Sequence, residues 1–140
     1  MLKYKYIEHT ADLGIRVYGR NRTDLFKNAA HAVFETMLTI NRTEHLARIT
    51  QFFNLKGDSL AELLVEWLRE LLFQFYTKQI VPEEFRIKFR GTRQLQAQVK
   101  FVKLERNNFR VKMEIKNVTY HNLKIRSTTK GYRTTIIFDV

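Results

Sequence analysis

The sequence predicts an α+β domain in which two helices pack on one face of a largely antiparallel β-sheet. Three observations predict it. Residues 58–79 repeat apolar side chains at intervals of three and four, the pattern of one long amphipathic helix. Residues 23–37 repeat the pattern more briefly. Beyond Pro82, the only proline, every segment alternates apolar and polar residues as half-buried strands do. At 140 residues the chain reads as one domain, 1–140, large enough to bury a core without covalent staples.

In order, Tyr4-Lys5-Tyr6-Ile7 and Ile15-Arg16-Val17-Tyr18 read as paired strands. Their connection, Glu8 to Gly14, carries Glu, His, Thr and Asp, and Gly14 is expected to supply an unusual backbone angle. Thr23 or Asp24 can cap the first helix, whose apolar face is Leu25, Phe26, Ala29, Ala30, Val33, Phe34 and Met37. Asn41-Arg42-Thr43 breaks it, and Leu46 to Leu55 reads as a strand ending at Lys56-Gly57-Asp58. Asp58 or Ser59 then caps the long helix. Leu60, Leu63, Leu64, Trp67, Leu68, Leu71, Leu72 and Phe75 form its core face, with Glu62, Glu66, Arg69 and Glu70 opposite. At that spacing Trp67 is a core residue rather than a ligand-stacking one, and Pro82 ends the segment.

Phe85 to Phe89, Leu95 to Val99, Phe109 to Ile115, Leu123 to Arg126 and Thr134 to Phe138 are the remaining strands, with turn signals at Asn107-Asn108 and Lys130-Gly131. Gln94, Gln96, Gln98, Lys100, Arg110, Lys112, Glu114 and Lys116 give them one polar, mostly basic face.

Composition excludes several classes. Without cysteine there is neither a disulfide nor a thiolate-bound zinc. No apolar run approaches the roughly 18 residues of a membrane helix and no signal peptide is apparent, so a cytoplasmic protein is expected. Charge is uneven. Residues 1–85 carry 11 Lys and Arg against 11 Asp and Glu, whereas residues 86–140 carry 14 against 3. Such asymmetry fits an anionic partner, nucleic acid above all, or else a solvated basic face.

No Gly-rich phosphate loop, nucleophile elbow or paired metal-binding histidine motif is present. Three oxygen-rich or polar segments remain: Glu8 to Gly14, Lys116 to Leu123, and Asp139-Val140. His9 and His121 are candidate metal ligands or proton shuttles, and equally fit satisfied turn histidines. Asp12 alone fits an Asx turn, and Asp139 alone a frayed strand end. If the fold brings the carboxylates of Asp12 and Asp139 and the α-carboxylate of Val140 together, they repel one another and make a site for a hard cation, with Lys116 as an alternative source of positive charge.

Four stretches then carry a resemblance. Glu8-His9-Thr10-Ala11-Asp12-Leu13-Gly14-Ile15, Leu63 to Leu72, Ile115 to Leu123 and the closing Asp139-Val140 resemble, in order and spacing, the four signature stretches of the archease family. The resemblance spans the whole chain and implies the archease-like α+β fold. It implies an accessory protein, not itself an enzyme, of the RtcB-class tRNA-splicing RNA ligase, promoting guanylylation of the ligase and its multiple turnover in tRNA splicing and RNA repair. It maps a calcium-type cation site, with magnesium or manganese as alternatives, onto Asp12, Asp139 and Val140, and the functional lysine of the third stretch onto Lys116. His9 and His121 join Lys116 as ligase-activating candidates. Arg69 stands where many relatives have Asn, and the basic C-terminal half also departs from acidic relatives. Two rival readings stand beside this one: a direct RNA-binding module using the basic face of residues 86–133, tRNA included, and a small metal-dependent hydrolase.

Overall fold

In the computed structural model, residues 2–7, 12–120 and 123–140 are described. Strands β1 (Tyr4–Ile7) and β2 (Leu13–Gly19) lead into helix α1 (Arg22–Met37), strand β3 (Leu38–Ile40) and strand β4 (Arg48–Lys56). Helix α2 (Leu60–Lys78) follows. Strands β5 (Ile80–Arg90), β6 (Gln94–Lys103), β7 (Phe109–Val111), β8 (Asn117–Thr119), β9 (Ile125–Thr128) and β10 (Gly131–Asp139) complete the chain.

Every pairing among the described strands is antiparallel, and the fold is α+β with two helices. The strands are divided among three sheets rather than joined in one. A five-stranded sheet runs β1-β2-β10-β8 with β9 also on β10, a three-stranded sheet runs β4-β6-β5, and β3 pairs with β7. Helix α1 packs on β2 and β5, and α2 on β5, β4 and β8, so the helices connect the two larger sheets. Trp67, Phe26, Phe101, Phe138, Ile15 and Leu68 are among the fully buried side chains between them. Trp67 is a core residue as expected, and its indole Nε1 donates to the Phe26 carbonyl at 3.0 Å, satisfying the one polar atom it buries.

Several local expectations are corrected. Helix α1 is capped by Asn21, whose side chain accepts from the Asp24 N–H at 2.8 Å, not by Thr23 or Asp24. Asp24 instead sits in the first turn, where its carboxylate accepts from the Arg20 N–H at 3.0 Å. That hydrogen bond, with the Arg20 guanidinium nearby, lowers its pKa. The helix ends at Met37, before Asn41-Arg42-Thr43, because Leu38 is already extended and enters β3. Helix α2 starts after Ser59, whose hydroxyl accepts from the Glu62 N–H at 3.1 Å. Pro82 does not end α2. The helix stops at Lys78, with Gln79 left-handed at φ 55° and its side chain donating to the Leu104 carbonyl at 2.9 Å. Pro82 lies within β5, at a register shift between Pro82 and Glu84 on an edge strand, where a missing N–H is tolerated. The strand expected over Phe109 to Ile115 is confined to Phe109–Val111.

Candidate functional site

The site residues depend on one register. Strands β2 and β10 pair antiparallel from Tyr132 opposite Gly19 to Phe138 opposite Leu13. One residue beyond the last pair on each chain lie Asp12 and Asp139, so the register brings their backbones to the same end of the five-stranded sheet. On the other edge of β10, Asp139 is opposite Asn117 and Phe138 opposite Val118. The Lys116 N–H donates to the Asp139 carbonyl at 2.7 Å. Asp12, Asp139 and Lys116, widely separated in sequence, thus meet at this end, with Val140 directly beyond Asp139 and 42% exposed. His9 and His121, with Glu8, Thr10, Ala11 and Asn122, lie outside the described residues.

Phe138 is fully buried and anchors this end of β10, while Asp139 is exposed, so the carboxylate projects from a fixed strand. Gly14 is not there for an unusual angle. It sits inside β2, opposite Ile7 and Ile137, and its φ is not positive. Space is the reason: a Cβ would lie 3.3 Å from the Ile7 carbonyl oxygen and 3.4 Å from the Ile137 side chain.

One contributor was not legible as such. Arg69 reads in the sequence as a surface charge on α2, yet its Nε donates to Asn117 Oδ1 at 3.2 Å and its Nη2 to the Val118 carbonyl at 3.0 Å. Its Nη1 lies 3.5 Å from Glu66 Oε1. Asn117 Oδ1 also accepts from the Val118 N–H at 2.8 Å. Arg69 therefore fastens β8, and with it Lys116, to the long helix. The only available signal was its place inside the helix stretch that departs from the family pattern.

Among the described residues, no group of three His, Cys, Asp or Glu side chains gathers as a metal-holding cluster. The side chains that the register brings to this end of the sheet include the carboxylates of Asp12 and Asp139. Their donor atoms are oxygens, the set that suits a hard cation rather than zinc or copper.

The whole chain carries the pattern of one family. Residues 4–140 match the model of the Archease protein family (MTH1598/TM1083). The chain belongs to the archease family. Among archease relatives, "Protein archease" of Methanosarcina barkeri is 34% identical over 99% of this chain and 96% of its own length. That of Sulfurisphaera tokodaii is 31% identical over the full length of both. The solution structure of protein 1598 from Methanobacterium thermoautotrophicum superposes with a TM-score of 0.72 at 26% identity, covering 99% of each chain. The crystal structure of an archease of Thermotoga maritima, described as a possible chaperone, gives a TM-score of 0.68 at 22% identity over 97% of this chain and 96% of that one, a likeness of fold.

The basic residues of 86–133 lie on more than one surface of this archease. Arg86, Lys88 and Arg90 line the outer face of β5, whereas Lys124, Arg126 and Arg133 gather with Arg16 around a polar depression of about 220 Å³ on the five-stranded sheet. Lys112 turns back to donate to the Glu35 carbonyl at 2.8 Å. No helix among the described residues is long and apolar enough to cross a membrane.

Proposed function

We propose that this archease is a cytoplasmic accessory protein of an RtcB-class RNA ligase, acting in tRNA splicing and RNA repair, with no catalysis of its own. Asp12, Asp139 and the α-carboxylate of Val140 hold a calcium-type cation, for which magnesium or manganese can substitute, and Lys116 stands beside them. The observation that carries the reading is the pairing of Leu13 with Phe138, since continuing it by one residue juxtaposes Asp12 and Asp139. The Lys116 to Asp139 hydrogen bond supports the same assembly.

A cation held there would neutralise the carboxylates and supply positive charge for an oxyanion of the partner's nucleotide. The chain's own residues do the rest. The buried Phe138 and paired β2 fix the carboxylate positions, and the Arg69 bridge fixes β8 so that Lys116 presents its charge at the same edge. Lys116, His9 and His121 are the side chains assigned to work on the ligase. A sheet end carrying exposed charge on paired, buried strands suits engagement with another protein's active site.

The test is guanylylation and turnover of the ligase with and without this protein, in calcium, magnesium and manganese. Asp12→Asn keeps the side-chain shape, so it is expected to leave the circular dichroism spectrum unchanged, weaken calcium binding in calorimetry and abolish activation. A one-residue extension beyond Val140 is expected to act in the same direction, because it converts the α-carboxylate to a neutral carbonyl. Full activation by a folded Asp12→Asn protein would remove the cation site from the mechanism.

A further inference from the structure

We infer that the outer face of the three-stranded sheet β4-β6-β5 is a binding surface for a single-stranded nucleic acid, with Phe52 as its base-stacking platform. Phe52 is 74% exposed, the most exposed large hydrophobic side chain among the described residues. A lone exposed phenylalanine needs no explanation. Its surroundings do. Register puts Phe52 opposite Gln98 and Gln98 opposite Arg86, then Asn54, Gln96 and Lys88 in the next outward row, then Lys56, Gln94 and Arg90.

Read across the sheet, these rows make three parallel stripes. Strand β6 contributes a stripe of three glutamine amides that can donate and accept toward base edges, Gln94 with one of its N–H groups already given to Asn54 Oδ1 at 2.9 Å. Strand β5 contributes a stripe of three cations in step with the strand, Arg86, Lys88 and Arg90, for a phosphate backbone. Strand β4 contributes the aromatic ring at one end and Lys56 at the other. Two strand spacings, about 10 Å, separate the ring from the cation stripe, so a base on Phe52 and its backbone over β5 can be engaged together.

Charge complementarity fixes the occupant as an anionic strand. No acidic residue stands in these three rows, and Arg86, Lys88 and Arg90 form no ion pair among the described residues. The acids of β5 lie beyond one end, where Glu83 is paired with Arg48 at 3.0 Å and Glu84 with Lys100 at 3.5 Å. A shallow depression of about 480 Å³ opens beside Phe52, bordered by Asn54, Gln96, Gln98, Arg86 and Lys88, room for an unstacked base. Stacking on Phe52 requires an unpaired base, which selects single strands over duplexes. This surface belongs to a different sheet from Asp12 and Asp139 and does not depend on the cation site.

The experiment is fluorescence anisotropy of a labelled ten-nucleotide oligouridylate and oligoadenylate with the full chain across a salt series. Phe52→Ala is expected to weaken binding by roughly 5- to 150-fold, the span that one base–aromatic stack covers, and Phe52→Trp to restore it. With three phosphates engaged, the slope of log affinity against log salt is expected to be about −2, and Lys88→Gln to make it shallower by roughly 0.7. Because Phe52 and Lys88 are exposed, the variants should melt with the parent. Equal affinity for a duplex of the same length, an unchanged affinity on Phe52→Ala, or a Phe52→Ala defect confined to protein partners would each overturn the assignment.

Discussion

Replacing Arg69 with alanine removes a tie whose strength can be worked from its geometry. The guanidinium donates to the Val118 carbonyl at 3.0 Å and to Asn117 Oδ1 at 3.2 Å, and pairs with Glu66 at 3.5 Å. A hydrogen bond from a charged donor is worth roughly 1.5–3 kcal/mol when shielded. Here the Arg69 and Glu66 side chains are each 42% exposed, so solvent screening brings the figure below that range, to about 1 kcal/mol for each of the two bonds to β8. The ion pair adds at most about 1 kcal/mol. The expected loss is therefore about 2–3 kcal/mol, a melting point lower by roughly 10 °C for a domain of this size. The loss should be local as well as global. Strand β8 has only three residues and one strand neighbour, so the amides of Asn117 to Thr119 should exchange with solvent faster by one to two orders of magnitude. Arg69→Lys keeps the charge without the planar fork and should fall between the two. Thermal melts and hydrogen exchange by mass spectrometry read both quantities. Unchanged melting together with unchanged exchange over Asn117 to Thr119 would show that packing, not Arg69, holds β8 in place.

Other outcomes follow from the core and from one histidine. Leu68 is fully buried, so Leu68→Ala should cost roughly 2–5 kcal/mol in denaturant unfolding through lost transfer energy and a residual cavity. His31 has its pKa lowered by burial, then by the charge of Lys3, with Glu35 opposing, and its ring stands edge-on to Phe85 at 5.6 Å. The folded state thus favours the neutral ring. The associated stability is complete above the ordinary imidazole value of 6.5 and is lost as pH falls below it toward the depressed folded value. Denaturant midpoints measured from pH 8 to 5 should decline over that interval, and the decline should be smaller in His31→Gln.

The helices were legible because burial leaves a period in the sequence. Leu63, Leu64, Trp67, Leu68, Leu71 and Leu72 are all buried, as their spacing foretold. Alternation likewise identified β6, where Leu95, Ala97 and Val99 face inward. What alternation cannot encode is which strand pairs with which. The division into a five-stranded and a three-stranded sheet rests on contacts such as Thr134 with Val17 and Phe53 with Ala97, between residues far apart in the chain. Caps are degenerate at the level of single letters: Asn21, Thr23 and Asp24 all qualify, and only backbone conformation selects Asn21. At the candidate site, the polar composition of the strand ends singled out Asp12 and Asp139, and the family resemblance added Lys116. Arg69 went unassigned because its partner lies on another element, with nothing in the helical pattern to mark it.

Strand β10 holds β2 along one edge and both β8 and β9 along the other. Among the described strands it is the last to be synthesised, so until it appears β2 has only β1 as a strand partner and β8 and β9 have none. The hairpin of β1 and β2 must wait with one edge of β2 open, and the short segments β8 and β9 with no strand beside them. The α2 helix and the β4-β6-β5 sheet face no such delay, since all their strands precede residue 104. Folding should therefore be split in time, with one half formed on the growing chain and the other closing around β10 only after it emerges. Since Asp139 arrives on that closing strand, the end of β10 that carries it meets the start of β2, next to Asp12, in the same event that seals the sheet.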